Sequence, residues 1–179
     1  MPSILRVSLS LVLLLSAAHA FAADAPIDPA LEARIVAMGK VHSASAAQYS
    51  PDGRQIAYIG TLSGSPQAWI LPTQGGEARP LTTGSDPVSG LRWSPDGKLA
   101  YAVSPGGGYN AQLFLARPDG TQATRINEGE VNTFPGDFAP DGRYYFRSNA
   151  RSANSTDTWL YDPATGKARI AVEMETVGN

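Results

Sequence analysis

The 179 residues are 42% hydrophobic and 17% charged, a globular balance that excludes an intrinsically disordered chain. A formal net charge of −2 leaves no basic footprint for nucleic acid. The chain has no cysteine, so disulfides and thiolate metal sites are excluded.

Arg6 is the lone side-chain charge ahead of an apolar run from Val7 to Leu15. Ala18-His19-Ala20 and Ala20-Phe21-Ala22 then offer small-x-small cleavage sites. Residues 1–22 read as a secretory signal peptide. Their apolar core is shorter than the roughly 20 residues that cross a bilayer. The expected address of the mature chain is therefore periplasmic or secreted, with no membrane association once the signal is removed. Residues 23–45 read as a linker with a short helix: Asp28 can cap it, Pro29 suits its first turn, Leu31, Ile35 and Met38 share a face, and Gly39 can end it.

From residue 46 the chain repeats. Ser50-Pro51-Asp52-Gly53 recurs as Ser94-Pro95-Asp96-Gly97 and as Ala139-Pro140-Asp141-Gly142. The glycines are 44 residues apart from Gly53 to Gly97, and 45 from Gly97 to Gly142. A period in the forties marks a repeat architecture. Proline at the second position and glycine at the fourth fit a type I turn between antiparallel strands. An aromatic precedes each copy (Tyr49, Trp93, Phe138) and a basic residue follows (Arg54, Lys98, Arg143).

The rest of each period also aligns. Second strands are expected at Gln55 to Ile59, Lys98 to Val103 and Arg143 to Phe146, with Tyr58, Tyr101 and Tyr145 at or near equivalent places. Third strands carry Trp69-Ile70-Leu71, Leu113-Phe114-Leu115 and Trp159-Leu160-Tyr161. Weaker fourth strands follow at Ala78 to Thr82, Ala123 to Ile126 and Ala168 to Val172. Four short strands per unit describe a β-propeller blade. The expected fold is all-β: a partial propeller over residues 46–179, with blades at about 46–84, 88–128 and 133–173.

The first repeat, with Gln67-Ala68-Trp69-Ile70-Leu71 and Gly75-Gly76-Glu77-Ala78-Arg79-Pro80-Leu81-Thr82, resembles the propeller repeats of TolB and of prolyl oligopeptidase family serine peptidases. The block from Asp86 to Gly97, followed by Pro105-Gly106-Gly107-Gly108 and Arg117-Pro118-Asp119-Gly120, is similar to the N-terminal propeller of secreted acylaminoacyl- and dipeptidyl-peptidase-like enzymes. The resemblance covers about residues 26–179. It implies a propeller of six to eight blades ahead of an α/β-hydrolase domain with a Ser-Asp-His triad. In that family the propeller limits access, so that peptides reach the serine. The present residues contain no Gly-x-Ser-x-Gly elbow, and His42 is the only histidine after the signal. No catalytic residue carries over. By this reading the chain is the N-terminal part of such a peptidase, inactive alone. Its expected partners are a C-terminal hydrolase domain and peptide substrates. Two alternatives stay open: a TolB-like protein-binding propeller without catalysis, and the propeller of a metal-dependent amidohydrolase.

The longer polar loops between second and third strands, and between blades, are expected on one face, with the Pro-Asp-Gly turns on the other. On the loop face Tyr109, Asn110, Arg147 and Arg151 are the candidates for contact with substrate or hydrolase domain, since a guanidinium fork grips carboxylates and carbonyls. The aspartates of the turns (Asp52, Asp96, Asp119, Asp141) are expected to brace backbone, not to bind metal. Gly106-Gly107-Gly108 lacks the Gly-Lys-Ser/Thr of a phosphate cradle. No cofactor is expected. Trp69, Trp93 and Trp159 are expected to pack between neighbouring blades.

Overall fold

The computed structural model describes residues 28–30, 33 and 42–175. The proposed signal peptide lies outside them, as does most of the linker helix. Of the latter, residues 29–30 and 33 are helical, and the Ala30 N–H donates to Asp28 Oδ1 at 2.9 Å, as an N-cap requires.

Residues 42–175 are built from three four-stranded antiparallel sheets, each a simple meander. Blade one holds β1 (Ala44–Tyr49), β2 (Gln55–Ser63), β3 (Ser65–Pro72) and β4 (Arg79–Pro80). Blade two holds β5 (Val88–Trp93), β6 (Leu99–Val103), β7 (Gln112–Ala116) and β8 (Thr124–Arg125). Blade three holds β9 (Thr133–Phe138), β10 (Tyr144–Ser148), β11 (Asp157–Asp162) and β12 (Lys167–Val172). The chain is therefore an all-β partial propeller.

The turns form as their residues dictate. Gly53 N–H donates to Ser50 O at 2.9 Å, Gly97 N–H to Ser94 O at 3.0 Å, and Gly142 N–H to Ala139 O at 2.9 Å. Each of these glycines has positive φ. Inside the first turn Ser50 Oγ donates to Asp52 Oδ1 at 2.6 Å, and the Arg54 N–H donates to the same oxygen at 3.1 Å. Asp119 and Asp141 likewise accept the Thr121 and Arg143 N–H groups, whereas Asp96 accepts from the Ser94 hydroxyl and pairs with Lys98.

One turn is a residue longer than the others. The Ser50 N–H closes on Gln55 O, whereas the Ser94 N–H closes on Lys98 O and the Ala139 N–H on Arg143 O. Counting from the glycine therefore sets blade one off by one residue from blades two and three. Strand register puts Tyr58 opposite Trp69, Tyr101 opposite Phe114 and Phe146 opposite Trp159. Tyr145 is therefore next to the equivalent place, which Phe146 occupies, and within Leu113-Phe114-Leu115 it is Phe114 that matches Trp69 and Trp159. Adjacent strand residues face opposite ways, so Tyr145 points to the other face.

The aromatic pair looks toward the preceding blade every time. Leu99, Tyr101 and Ala116 pack on Ala57, Ala68 and Ile70 of blade one, with Trp93 and Phe114 at the margin. Tyr144, Phe146 and Tyr161 pack on Ala100, Ala102, Leu113 and Leu115 of blade two, with Phe138 and Trp159 beside them. Large rings thus seat on small aliphatic residues. Each fully buried Leu or Ile contributes roughly 1.5–3 kcal/mol. Trp93 and Trp159 meet their expectation. Trp69, with Tyr49 and Tyr58, lies on the face of blade one that no described element covers, and Tyr49 is 69% exposed.

Near the innermost strands the blades are also tied by hydrogen bonds. Trp93 Nε1 donates to Gln48 O at 3.2 Å, and Gln48 Nε2 donates to Leu91 O at 3.0 Å. Between blades two and three the approach is closer. Gly90 has a φ of +63°, and a Cβ there would sit 2.3 Å from Pro135 Cγ.

Candidate functional site

The polar loops gather at one end of the blades. A shallow depression there is lined by Asn110, Glu130, Asn132, Asn149, Arg151 and neighbouring residues. Two strand connections and one inter-blade link build it. Asn110 is placed by a parallel bridge to Thr133, which draws the blade-two loop against the first strand of blade three. The Asn149 N–H donates to Asn132 O at 3.1 Å, extending the β9–β10 pairing into the loops. The opposite end carries Pro95, Asp96, Pro140, Asp141 and Asp162 around another depression.

Arg151 is the organising side chain. Its Nε donates to Asp157 Oδ2 at 2.7 Å and its Nη2 to Asp157 Oδ1 at 2.8 Å. Nη2 also reaches Ser155 Oγ at 3.2 Å and Met174 O at 2.9 Å. The Met174 N–H donates back to Asp157 Oδ1 at 2.8 Å. The fork therefore clamps the 149–156 loop to the segment that leaves blade three. Asp157 has no solvent exposure. The Arg151 guanidinium, aided by the Met174 N–H, holds its carboxyl down at about 2.

The sign of the pH dependence follows. A carboxylate with a depressed folded pKa stabilises the fold above its ordinary value, and that contribution is lost as pH falls through about 2. Asp157→Asn is expected to be less stable than the parent near pH 7, with the gap narrowing in acid. Denaturant midpoints compared at about pH 7 and about pH 2 check this. A gap that stays constant would mean the pair carries no pH-dependent stability.

The other three candidates stand apart from this clamp. Tyr109 is 90% exposed at the tip of its loop. Arg147 lies on β10, with its guanidinium carbon 5.2 Å from the centre of the Phe134 ring. It shares its strand face with Tyr145, which turns away from blade two. Asn110 and Arg151 meet in one depression. Arg147 and Tyr109 are not among the residues lining it. Sequence reasoning missed Asp157 and Met174, because the clamp joins groups 6 and 17 residues from Asp157. The single legible signal was an aspartate at the start of an apolar strand.

His42 Nδ1 lies 3.1 Å from Thr61 O, a structural contact on the edge of blade one. Among the described residues there is no cluster of three or more His, Cys, Asp or Glu side chains suited to a metal. Nor does any described helix have the length and apolarity to cross a membrane.

No family model matches the chain. Over 101 residues it is 31% identical to the uncharacterized peptidase YuxL of Bacillus subtilis, covering 53% of this chain and 15% of that protein. Over 123 residues it is 35% identical to a TolB homolog of Chlorobium luteolum, covering 67% of this chain and 27% of that one. The crystal structure of puromycin hydrolase superposes with a TM-score of 0.60 at 19% identity, over 76% of this chain and 22% of that one. The fold is therefore shared with TolB propellers and with peptidase propellers, and this chain spans under a third of each of these proteins.

Proposed function

We propose that these blades are the start of a propeller in an exported serine peptidase of the prolyl oligopeptidase type. In this reading the propeller gates and selects peptide substrates for a hydrolase domain beyond residue 179. One observation carries it: the 31% identity to a peptidase over 101 residues. Supporting it, the loop end concentrates polar side chains on a rigid scaffold, an arrangement suited to contact with a second domain or an entering peptide. Export rests on residues 1–22, with the periplasm or the exterior as the destination.

A second reading has its own observation. The 35% identity to a TolB homolog over 123 residues favours a protein-binding propeller without catalysis.

Reading the gene past the Asn179 codon separates them. An in-frame Gly-x-Ser-x-Gly followed by Asp and His supports the peptidase, and that product should react with a fluorophosphonate. Further blades alone support the binding propeller. A downstream His-x-His in place of the serine elbow would transfer the blades to a metal-dependent amidohydrolase.

Where the complete enzyme is in hand, Tyr109→Ala and Arg147→Ala are expected to lower kcat/KM for peptides about tenfold, with thermal stability unchanged. Unchanged turnover in both would remove these loops from substrate handling. Arg151→Ala is a poorer probe, since it also strips Asp157 of its partner.

A further inference from the structure

Between blades two and three, at the loop end, opens a cavity of about 380 Å³. Its walls are Phe146 and Trp159 of blade three, with Val131, Ala150 and Ala168, and its polar lining is Asn127, Glu128 and Ser148. That volume lies in the range of small-molecule sites, roughly 300–1,000 Å³.

Three observations narrow the occupant. First, one wall is aromatic: Phe146 and Trp159 stack with ring centres 6.3 Å apart and 18° between planes. Second, the one charged residue of the lining is Glu128, an exposed carboxylate, and no cation lines the cavity. Arg125 stands behind the rim, where its Nη2 donates to Gly129 O and its Nε reaches Asn127 Oδ1 at 3.5 Å, so its guanidinium is committed to the frame of the cavity. Arg125 thereby holds the loop that carries Glu128. Third, the indole of Trp159 is not anchored by its N–H, which has no acceptor among the described residues. Trp69, at the same ladder position of blade one, donates to Gly60 O at 3.2 Å. The blade-three indole N–H is thus a buried donor left without a partner on a ring that lines the cavity. Asn127, by contrast, is saturated: its Oδ1 accepts from the Leu113 N–H at 2.8 Å, and its Nδ2 donates to Ala111 O at 2.9 Å. It forms wall and leaves recognition to its neighbours.

We propose that this cavity binds an aryl-alkyl ammonium group: an aromatic ring among Phe146, Trp159 and Val131, and a protonated amine on Glu128. A wall of aromatic rings with a single acidic residue at the rim selects this chemistry. The ring gains burial, the ammonium gains a carboxylate partner and the attraction of nearby aromatic rings, and an anionic analogue is repelled. Such a group occurs as a free amine or as the amino-terminal aromatic residue of a peptide.

The test uses the full-length protein, with calorimetry and with proton–nitrogen NMR of the indole N–H signals. Probes are 2-phenylethylamine, phenylalanyl-alanine amide, N-acetyl-phenylalanine amide and 3-phenylpropionate. The two ammonium probes are expected to bind saturably and to shift the Trp159 indole signal, assigned through Trp159→Phe. Glu128→Gln is expected to weaken them about tenfold. Val131→Asp, at the cavity wall, should abolish binding while the spectrum elsewhere keeps its native dispersion. Preference for phenylethylamine over the dipeptide amide would identify the free amine as the source, and the reverse a peptide amino terminus. Binding of 3-phenylpropionate or the acetylated amide as tight as that of the amines would overturn the proposal. So would full affinity in Glu128→Gln, or no saturable binding of either ammonium.

Discussion

Replacing Gly136 by alanine is expected to unfold blade three. Gly136 lies on β9 where the pairing with β10 is irregular, between the Tyr145 and Arg147 positions. A Cβ built there falls 1.9 Å from Tyr145 O and 2.8 Å from Tyr145 C. Those are backbone atoms of the neighbouring strand, so no rotamer change relieves the overlap. The ladder has to part or the variant cannot adopt this structure. The expected cost is about 3–5 kcal/mol, at the exceptional end for a single substitution and a large fraction of a domain's stability. Gly142→Ala isolates the other way a glycine can be required. Its φ is +85° with open space around it, so only the left-handed conformation is strained, at roughly 1–2 kcal/mol. Hydrogen exchange should show blade three deprotected in Gly136→Ala and little changed in Gly142→Ala. Equal protection in the two variants would show that the β9–β10 bulge opens without penalty.

The second large effect concerns Tyr144, which is 1% exposed between blades two and three. Its ring packs against Phe138 at 4.8 Å and Phe146 at 6.4 Å, and its hydroxyl oxygen accepts the Gly136 N–H at 2.9 Å. Tyr144→Ala empties that space, and is expected to cost about 3–5 kcal/mol. Tyr144→Phe keeps the packing and strands the Gly136 N–H, for about 1–3 kcal/mol. Urea midpoints should rank parent, Phe and Ala in that order. Alkali supplies an independent check. Burial pushes the Tyr144 phenol up to about 12, from an ordinary value of 10.0. The folded state then holds a proton that the unfolded chain has lost. Stability should fall from about pH 10 and level off above about 12, a change on the order of 3 kcal/mol from this group. Tyr144→Phe should show a shallower decline over that window. An identical slope in parent and variant would assign the effect to other tyrosines.

Much of the fold was legible because its signals are local. A type I turn needs only four consecutive residues, so Ser50-Pro51-Asp52-Gly53 and its copies could be read without any knowledge of their partners. Short alternating runs between such turns imply antiparallel meanders, and the regular spacing implies a repeat. The facing of side chains was harder. The closure of the first turn on Gln55, one residue later than in the other two blades, is decided by a cross-strand hydrogen bond. That extra residue puts Tyr58 one place further from its glycine than Tyr101 and Phe146 are from theirs, and only the cross-strand register shows that the three are equivalent.

The candidate site divides along the same line. Loop residues such as Tyr109 and Asn110 could be nominated because glycine and polar runs mark loops. The clamp could not. Asp157, Arg151 and Met174 come together through the return of β12 beside β11 and the fold of the 149–156 loop. The cavity beside Trp159 has the same origin, since its walls come from two blades.

By itself, then, the sequence determined the class, the strand order and the turn chemistry, all of which depend on backbone dihedrals and hydrogen bonds within a few residues. Only the tertiary structure decided which ring faces which blade, which arginine is committed to an internal ion pair, and where a space remains. Those outcomes depend on register and on packing between residues tens of positions apart, and such contacts leave no local mark in the chain.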